Sequence, residues 1–142
     1  MTGRYAIRVL AQQDFPAAYA VMRELRGNLD LAEFQRCLAI QADFGYQLLG
    51  ALDHQGALLG VLGMRPVWTL ARGKHVHVDD LVVTEPERHK GIGKALLQYA
   101  QRWASENAFG AVFLDSRHET VAFYAALGFQ THAAVLMKKR IS

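Results

Sequence analysis

Cysteine is almost missing from this 142-residue chain. Cys37 is the only one, which excludes an internal disulfide framework and any multi-cysteine zinc site and points to a reducing, cytoplasmic setting. Prolines are few and scattered, at 16, 66 and 86, each able to sit at an element boundary. Long apolar runs are absent. Ala57–Met64 and Ala108–Leu114 are the longest near-unbroken stretches, far below the ~20 residues of a membrane helix. The opening residues hold no apolar signal segment, so neither secretion nor a membrane partner is expected. Charge of one sign is also scarce. Sixteen Lys and Arg face thirteen Asp and Glu, for a net charge of +3. A nucleic-acid binder carries a denser basic stripe interleaved with aromatics, so no nucleic-acid partner is expected.

Apolar residues make up 51% of the chain and charged ones 20%, which suits one globular domain spanning 1–142. Residues 4–10 alternate as a strand. Asp14 is placed to cap a helix with Pro16 in its first turn, running to about Arg26. Asp30-Leu-Ala-Glu33 has the form of a capping box for a second helix, with Leu31, Phe34 and Leu38 facing inward. Cys37 lies on this helix as a small apolar residue rather than a nucleophile. Tyr46–Asp53, a turn at His54-Gln55-Gly56, and Ala57–Arg65 form a hairpin. His75–Val83 is the next strand. A long helix follows Arg88–Lys94, with Ile92, Leu96, Ala100 and Trp103 as its buried stripe. Ala111–Leu114 is a strand buried on both faces. Strand, helix, strand implies a right-handed parallel crossover. Ser116-x-x-Glu119 suggests a capping box for a short helix closed by Gly128. Thr131–Lys138 reads as a final strand. The expected fold is α+β, a mixed and mostly antiparallel sheet with one β-α-β crossover and flanking helices.

The glycines of Arg88-His89-Lys90-Gly91-Ile92-Gly93-Lys94 permit close backbone approach. A helix N-terminus presents free N–H groups and a positive dipole end, which suits a phosphate. This is not a Walker loop, because Arg88 stands where the first glycine must be and Ala95 where Ser or Thr must hold magnesium. Nor is it a dinucleotide fingerprint, since Leu96 replaces the third glycine.

Asp-Leu-Val-Val, the Arg88-x-x-Gly91-x-Gly93 loop, and Ala122-Phe123-Tyr124-x-x-x-Gly128-Phe129 some 30 residues later resemble, in combination, the GCN5-related N-acetyltransferases. The element order resembles that fold along nearly the whole chain. The resemblance implies acetyl-CoA as co-substrate and no metal. Its diphosphate would lie on residues 88–94 (Arg88, His89, Lys90, Gly91, Ile92, Gly93, Lys94). Its pantetheine would pair with the backbone of the Leu81-Val82-Val83 segment, with Leu81 or Val83 N–H meeting the oxyanion. Tyr124 would be the acid facing the leaving sulfur. Ser116 or Arg117 lies nearest the position where many members carry a polar residue, often Asn. Homodimers are a habit of the family.

Acetyl transfer needs a neutral amine, whose free alkyl form has a pKa near ~10, and hence a base. Alternation in His75-Val-His77-Val-Asp79-Asp80-Leu-Val-Val83 places His75, His77, Asp79, Leu81 and Val83 on one face. Asp80 points the other way unless a bulge shifts the phase. By likeness to polyamine acetyltransferases, Asp79 is the base, acting through water. Asp80 would help hold the acceptor, a cationic small-molecule amine. His77 is the rival base. Two adjacent carboxylates are costly if unpaired, so pairing with nearby Arg or Lys is the structural alternative for both. Two other functions remain open: a non-catalytic acyl-CoA-binding module, and a metal-dependent hydrolase using His75-x-His77-x-Asp79.

Overall fold

The computed structural model describes residues 5–142. Arg4, the first residue of the expected opening strand, lies outside the described residues. The elements are β1 (Tyr5–Val9), α1 (Phe15–Met22), α2 (Leu31–Ala42), β2 (Gln47–Asp53), β3 (Leu58–Thr69), β4 (Gly73–Val83), α3 (Ile92–Glu106), β5 (Val112–Leu114) and α4 (Val121–Ala126). The sheet runs β1-β2-β3-β4-β5 in chain order. The first three pairings are antiparallel and β4 with β5 is parallel. This is the mixed sheet with a β-α-β crossover that the sequence implies.

Each face of the sheet carries its own core. Leu49, Leu62, Val76 and Val78 pack against Ile92, Leu96, Leu97 and Ala100 of α3. Leu48, Val61 and Val82 pack against Ala18, Val21 and Met22 of α1 and Phe34 and Leu38 of α2. Burial of these faces is what drives the helices onto the sheet. The expected α3 stripe is present, except that Trp103 is only partly buried and Leu97 and Ala104 complete it. On α2, Phe34 and Leu38 face inward as expected, but Leu31 is exposed.

Two helix starts differ from expectation. Asp30 Oδ1 accepts the Glu33 N–H at 2.8 Å, so half of the capping box forms. Glu33 itself turns to Arg36 and to the Cys37 thiol. Asp14 does not cap α1. Its carboxylate accepts from Arg8 at the end of β1 and from the Ala11 N–H, each at 2.8 Å. A charged partner on the adjacent strand outcompetes the helix amides.

The strand at Thr131–Lys138 does not form. Its apolar side chains stand in solvent, Leu136 at 82% exposure. Composition favours a strand there, but a strand exists only through a ladder partner, and this segment has none. The Ser116–Glu119 capping box is also absent. A single 3-10 turn, His118–Thr120, leads into α4, and the Ser116 hydroxyl bonds Thr120 and the Arg117 carbonyl instead.

Candidate active site

The β3–β4 ladder slips between Gly63 and Met64. Met64 pairs with Val78 and Gly63 with Asp80, leaving Asp79 unmatched. One extra residue inverts the side-chain phase. Before the bulge Val76 and Val78 face α3. After it Leu81 and Val83 do, and Val82 faces α1. The sequence-based facing is therefore corrected for Asp80, Leu81 and Val83. Asp80 shares the α1 side with Tyr46 and Arg26, while Leu81 and Val83 turn to the opposite face.

Both aspartates are paired. Asp80 Oδ2 accepts the Tyr46 hydroxyl at 2.9 Å, and Oδ1 accepts Arg26 Nε and Nη2 at 3.1 and 3.0 Å. Arg26 also donates to the Asp79 carbonyl at 3.0 Å. Burial, then the charge of Asp80, drives the Tyr46 hydroxyl far above the usual tyrosine range. Tyr46 is thus a fixed neutral donor. Asp79 Oδ2 accepts Arg65 Nε at 2.7 Å. Its Oδ1 accepts no hydrogen bond among the described residues; His77 Nε2 stands 3.9 Å away, too far for one. His77 Nε2 lies closer to Asp115 Oδ2, at 3.3 Å. Sequence reasoning missed Arg26, Tyr46, Arg65 and Asp115, which come respectively from the turn after α1, the residue before β2, β3 and the residue after β5.

Beyond Val78, β4 parts from β5. The two pair only through Val76–Val112, His77–Phe113 and Val78–Leu114. On the other edge, Thr84 N–H donates to the Leu59 carbonyl at 2.9 Å, and Val83 stands opposite Gly60. In an antiparallel ladder that phase commits the Val82 backbone to Val61 and points the N–H groups of Leu81 and Val83 away from β3. They face the split between β4 and β5. Val82, grouped with them in the sequence, has its backbone engaged by β3.

At the head of this split lies the glycine loop. Gly91 precedes α3 in a left-handed conformation, φ 89°, and no side chain caps the helix. The first helical bond runs from Ala95 N–H to the Gly91 carbonyl at 3.0 Å, so among the described residues Ile92, Gly93 and Lys94 keep free N–H groups. A Cβ on Gly91 would meet open space, and one on Gly93 would approach Phe123 at 3.5 Å. His89 is also left-handed, φ 66°, an uncommon conformation for a residue with a side chain. Arg88 is committed to the scaffold. Its Nε donates to the Val83 carbonyl at 2.8 Å and its Nη2 to Glu24 at 3.1 Å. Lys90 leans toward Glu87 at 3.4 Å.

Tyr124, on α4, sits on the α3 side of the sheet. Its ring packs against Phe123 and Phe129, with centroids 5.0 and 5.9 Å apart. Among the described residues its hydroxyl has no hydrogen-bond partner. Burial raises its pKa, partly offset by Arg117, so it is a protonated donor at neutral pH. Tyr124, Ser116 and Leu114 line a cavity of about 990 Å³ outside β5. The Cys37 thiol is held protonated by its bond to Glu33 and by burial, consistent with no part in chemistry.

The alternative metal reading of His75, His77 and Asp79 meets a different placement. His75 is 2% exposed, its Nδ1 lies 3.0 Å from the Gly73 carbonyl, and its ring packs on Phe113. Among the described residues no group of three or more His, Cys, Asp or Glu is arranged to hold a metal ion. No described helix is long and apolar enough to cross a membrane.

A split parallel pair beside an uncapped, glycine-led helix defines an acyltransferase fold. The Acetyltransferase (GNAT) family model matches residues 5–129, and the chain belongs to that family. It is 31% identical over 135 residues to the uncharacterized N-acetyltransferase YhdJ of Bacillus subtilis (strain 168), covering 92% of this chain and 95% of that protein. It is 25% identical to the glucosamine 6-phosphate N-acetyltransferase of Trypanosoma brucei brucei over 89% of each. A solved Trypanosoma brucei acetyltransferase superposes with a TM-score of 0.82 at 23% identity, covering 96% of this chain and 99% of that one.

Proposed function

We propose that this N-acetyltransferase moves the acetyl group of acetyl-CoA to a primary amine by direct attack in a ternary complex. The observation that carries the reading is the ladder phase set by Thr84 and Leu59, which turns the Leu81 and Val83 amides into the β4–β5 split. That split leads to the uncapped start of α3. The residues present fit an acyl-coenzyme with a diphosphate. The Ile92, Gly93 and Lys94 amides and the helix dipole would hold the diphosphate, and the open β4 edge would hold the pantetheine amides. The coenzyme supplies an acyl group activated as a thioester.

The chain's own residues then divide the work. Asp79 offers its unpaired Oδ1 to take a proton from the acceptor ammonium, directly or through a water. The Leu81 or Val83 N–H donates to the oxygen that gains charge during attack. Tyr124, kept neutral by burial, gives its proton to the leaving sulfur. Asp80, itself held by Tyr46 and Arg26, helps hold the acceptor amine. Because arginines already meet both carboxylates, the attraction for a cationic acceptor comes mainly from the free oxygen of Asp79.

The test is thiol release from acetyl-CoA against a panel of polyamines, aminoglycosides, amino sugars and peptides. Amine-dependent thiol release supports the proposal. Coenzyme binding with no thiol release on any amine would favour a non-catalytic acyl-CoA-binding module.

A further inference from the structure

His77 and Asp115 meet where β4 and β5 begin to part. Phe113 is the parallel partner of His77, and Asp115 follows two residues later, so the strand period brings both side chains to one side of the sheet. The His77 ring is nearly buried, whereas the Asp115 carboxyl is 71% exposed. His77 Nε2 stands 3.3 Å from Asp115 Oδ2 and 3.9 Å from Asp79 Oδ1. A bare nitrogen lone pair facing two carboxylates is repelled by both. An N–H there is attracted by both. The charges that a ring nitrogen faces bias which of the two carries the proton.

We propose that Asp115 is a positioning residue whose negative charge, 3.3 Å from His77 Nε2, keeps a proton on that nitrogen, so that Asp79 is left as the base. The inference rests on the acetyl-transfer reading of this site and decides between its two candidate bases. The nitrogen of His77 that faces the site cannot accept the acceptor's proton while it carries its own. Asp79 keeps one oxygen in a hydrogen bond to Arg65 at 2.7 Å and the other oxygen open. His77 Nε2, 3.9 Å from that open oxygen, is beyond hydrogen-bond reach and leaves it unoccupied. Asp115 is exposed and packs no core, so its removal leaves the fold intact.

The experiment pairs a structural readout with a kinetic one. Long-range ¹H–¹⁵N spectra of the free protein, labelled at histidine, report the protonation of each His77 nitrogen. The wild type is expected to show a protonated Nε2. Asp115→Asn is expected to shift proton occupancy toward Nδ1 and to lower kcat about 10-fold, with KM for acetyl-CoA unchanged. Asp115→Glu is expected to restore both the Nε2 proton and most of kcat. A bare Nε2 in the wild type would overturn the proposal. So would an Asp115→Asn protein whose His77 protonation is unchanged, whatever its kcat. The spectra need no substrate. Failure of the acetyl-transfer reading would instead appear as no thiol release by the wild type on any amine.

Discussion

Arg65 Nε lies 2.7 Å from Asp79 Oδ2, and the partner oxygen Oδ1 carries no hydrogen bond among the described residues. A carboxylate held by one oxygen has its orientation fixed while it keeps a site for a proton. Asp79→Asn removes that site and is expected to lower kcat by about 100-fold or more. Arg65→Gln frees the carboxylate to rotate and is expected to cost a smaller factor, about 10-fold. Neither change should move the dissociation constant for acetyl-CoA, measured by calorimetry. Full activity of Asp79→Asn would refute its role.

Tyr124→Phe keeps the ring between Phe123 and Phe129 and removes only the hydroxyl. Stability is expected to stay within ~1 kcal/mol, because the hydroxyl has no partner whose loss would leave a buried group unpaired. Turnover is expected to fall by about 100-fold. Thermal melts and steady-state thiol release measure the two separately. Equal loss of both would mark Tyr124 as a packing residue.

Gly91 adopts a φ of 89° at the head of α3. Gly91→Ala puts a Cβ into open space, but the left-handed backbone then costs about 1 kcal/mol. The loop relaxes away from the geometry that aims the free amides. The KM for acetyl-CoA is expected to rise about 10-fold, with kcat nearly retained. A kcat loss at unchanged KM would contradict the loop's binding role.

Asp14 is held to a pKa of about 2 by its hydrogen bonds to Arg8 and to the Ala11 N–H. The folded value lies below the unfolded one of 3.8, so the native state binds fewer protons. The stabilisation is complete above about pH 4 and fades as pH falls toward 2. Because Arg8 is half exposed, solvent screening makes the effect small. Asp14→Asn should lower the melting temperature at pH 7 and have little effect near pH 2, as read by calorimetry across that range. An equal loss at both pH values would contradict the assignment.

Much of the fold was legible because hydrophobic period is local. The 3.6-residue stripe of α3 and the alternation of β2 and β3 needed no tertiary knowledge. The glycine loop was readable for the same reason, since Gly91 needs its φ whatever surrounds it. Three features were not readable. The bulge at Asp79 arises from pairing with Gly63 and Met64, distant in sequence, and it reversed the facing of Asp80, Leu81 and Val83. The Thr131–Lys138 segment carries strand residues but no ladder partner. Arg65, Arg26 and Tyr46 reach the acid pair from three separate places in the chain, and nothing in their local sequence signals it. An adjacent aspartate pair demands neutralising partners, so their existence was foreseeable, though their identity was not.

The central claim is that the split between β4 and β5 receives the coenzyme through the amides of Leu81 and Val83. Titrating ¹⁵N-labelled protein with acetyl-CoA tests it most directly. The account predicts the largest amide shifts at Leu81, Val83 and Ile92 to Lys94, and a much smaller one at Val82, whose N–H is committed to β3. Shifts concentrated elsewhere, with Leu81 and Val83 unmoved, would contradict it.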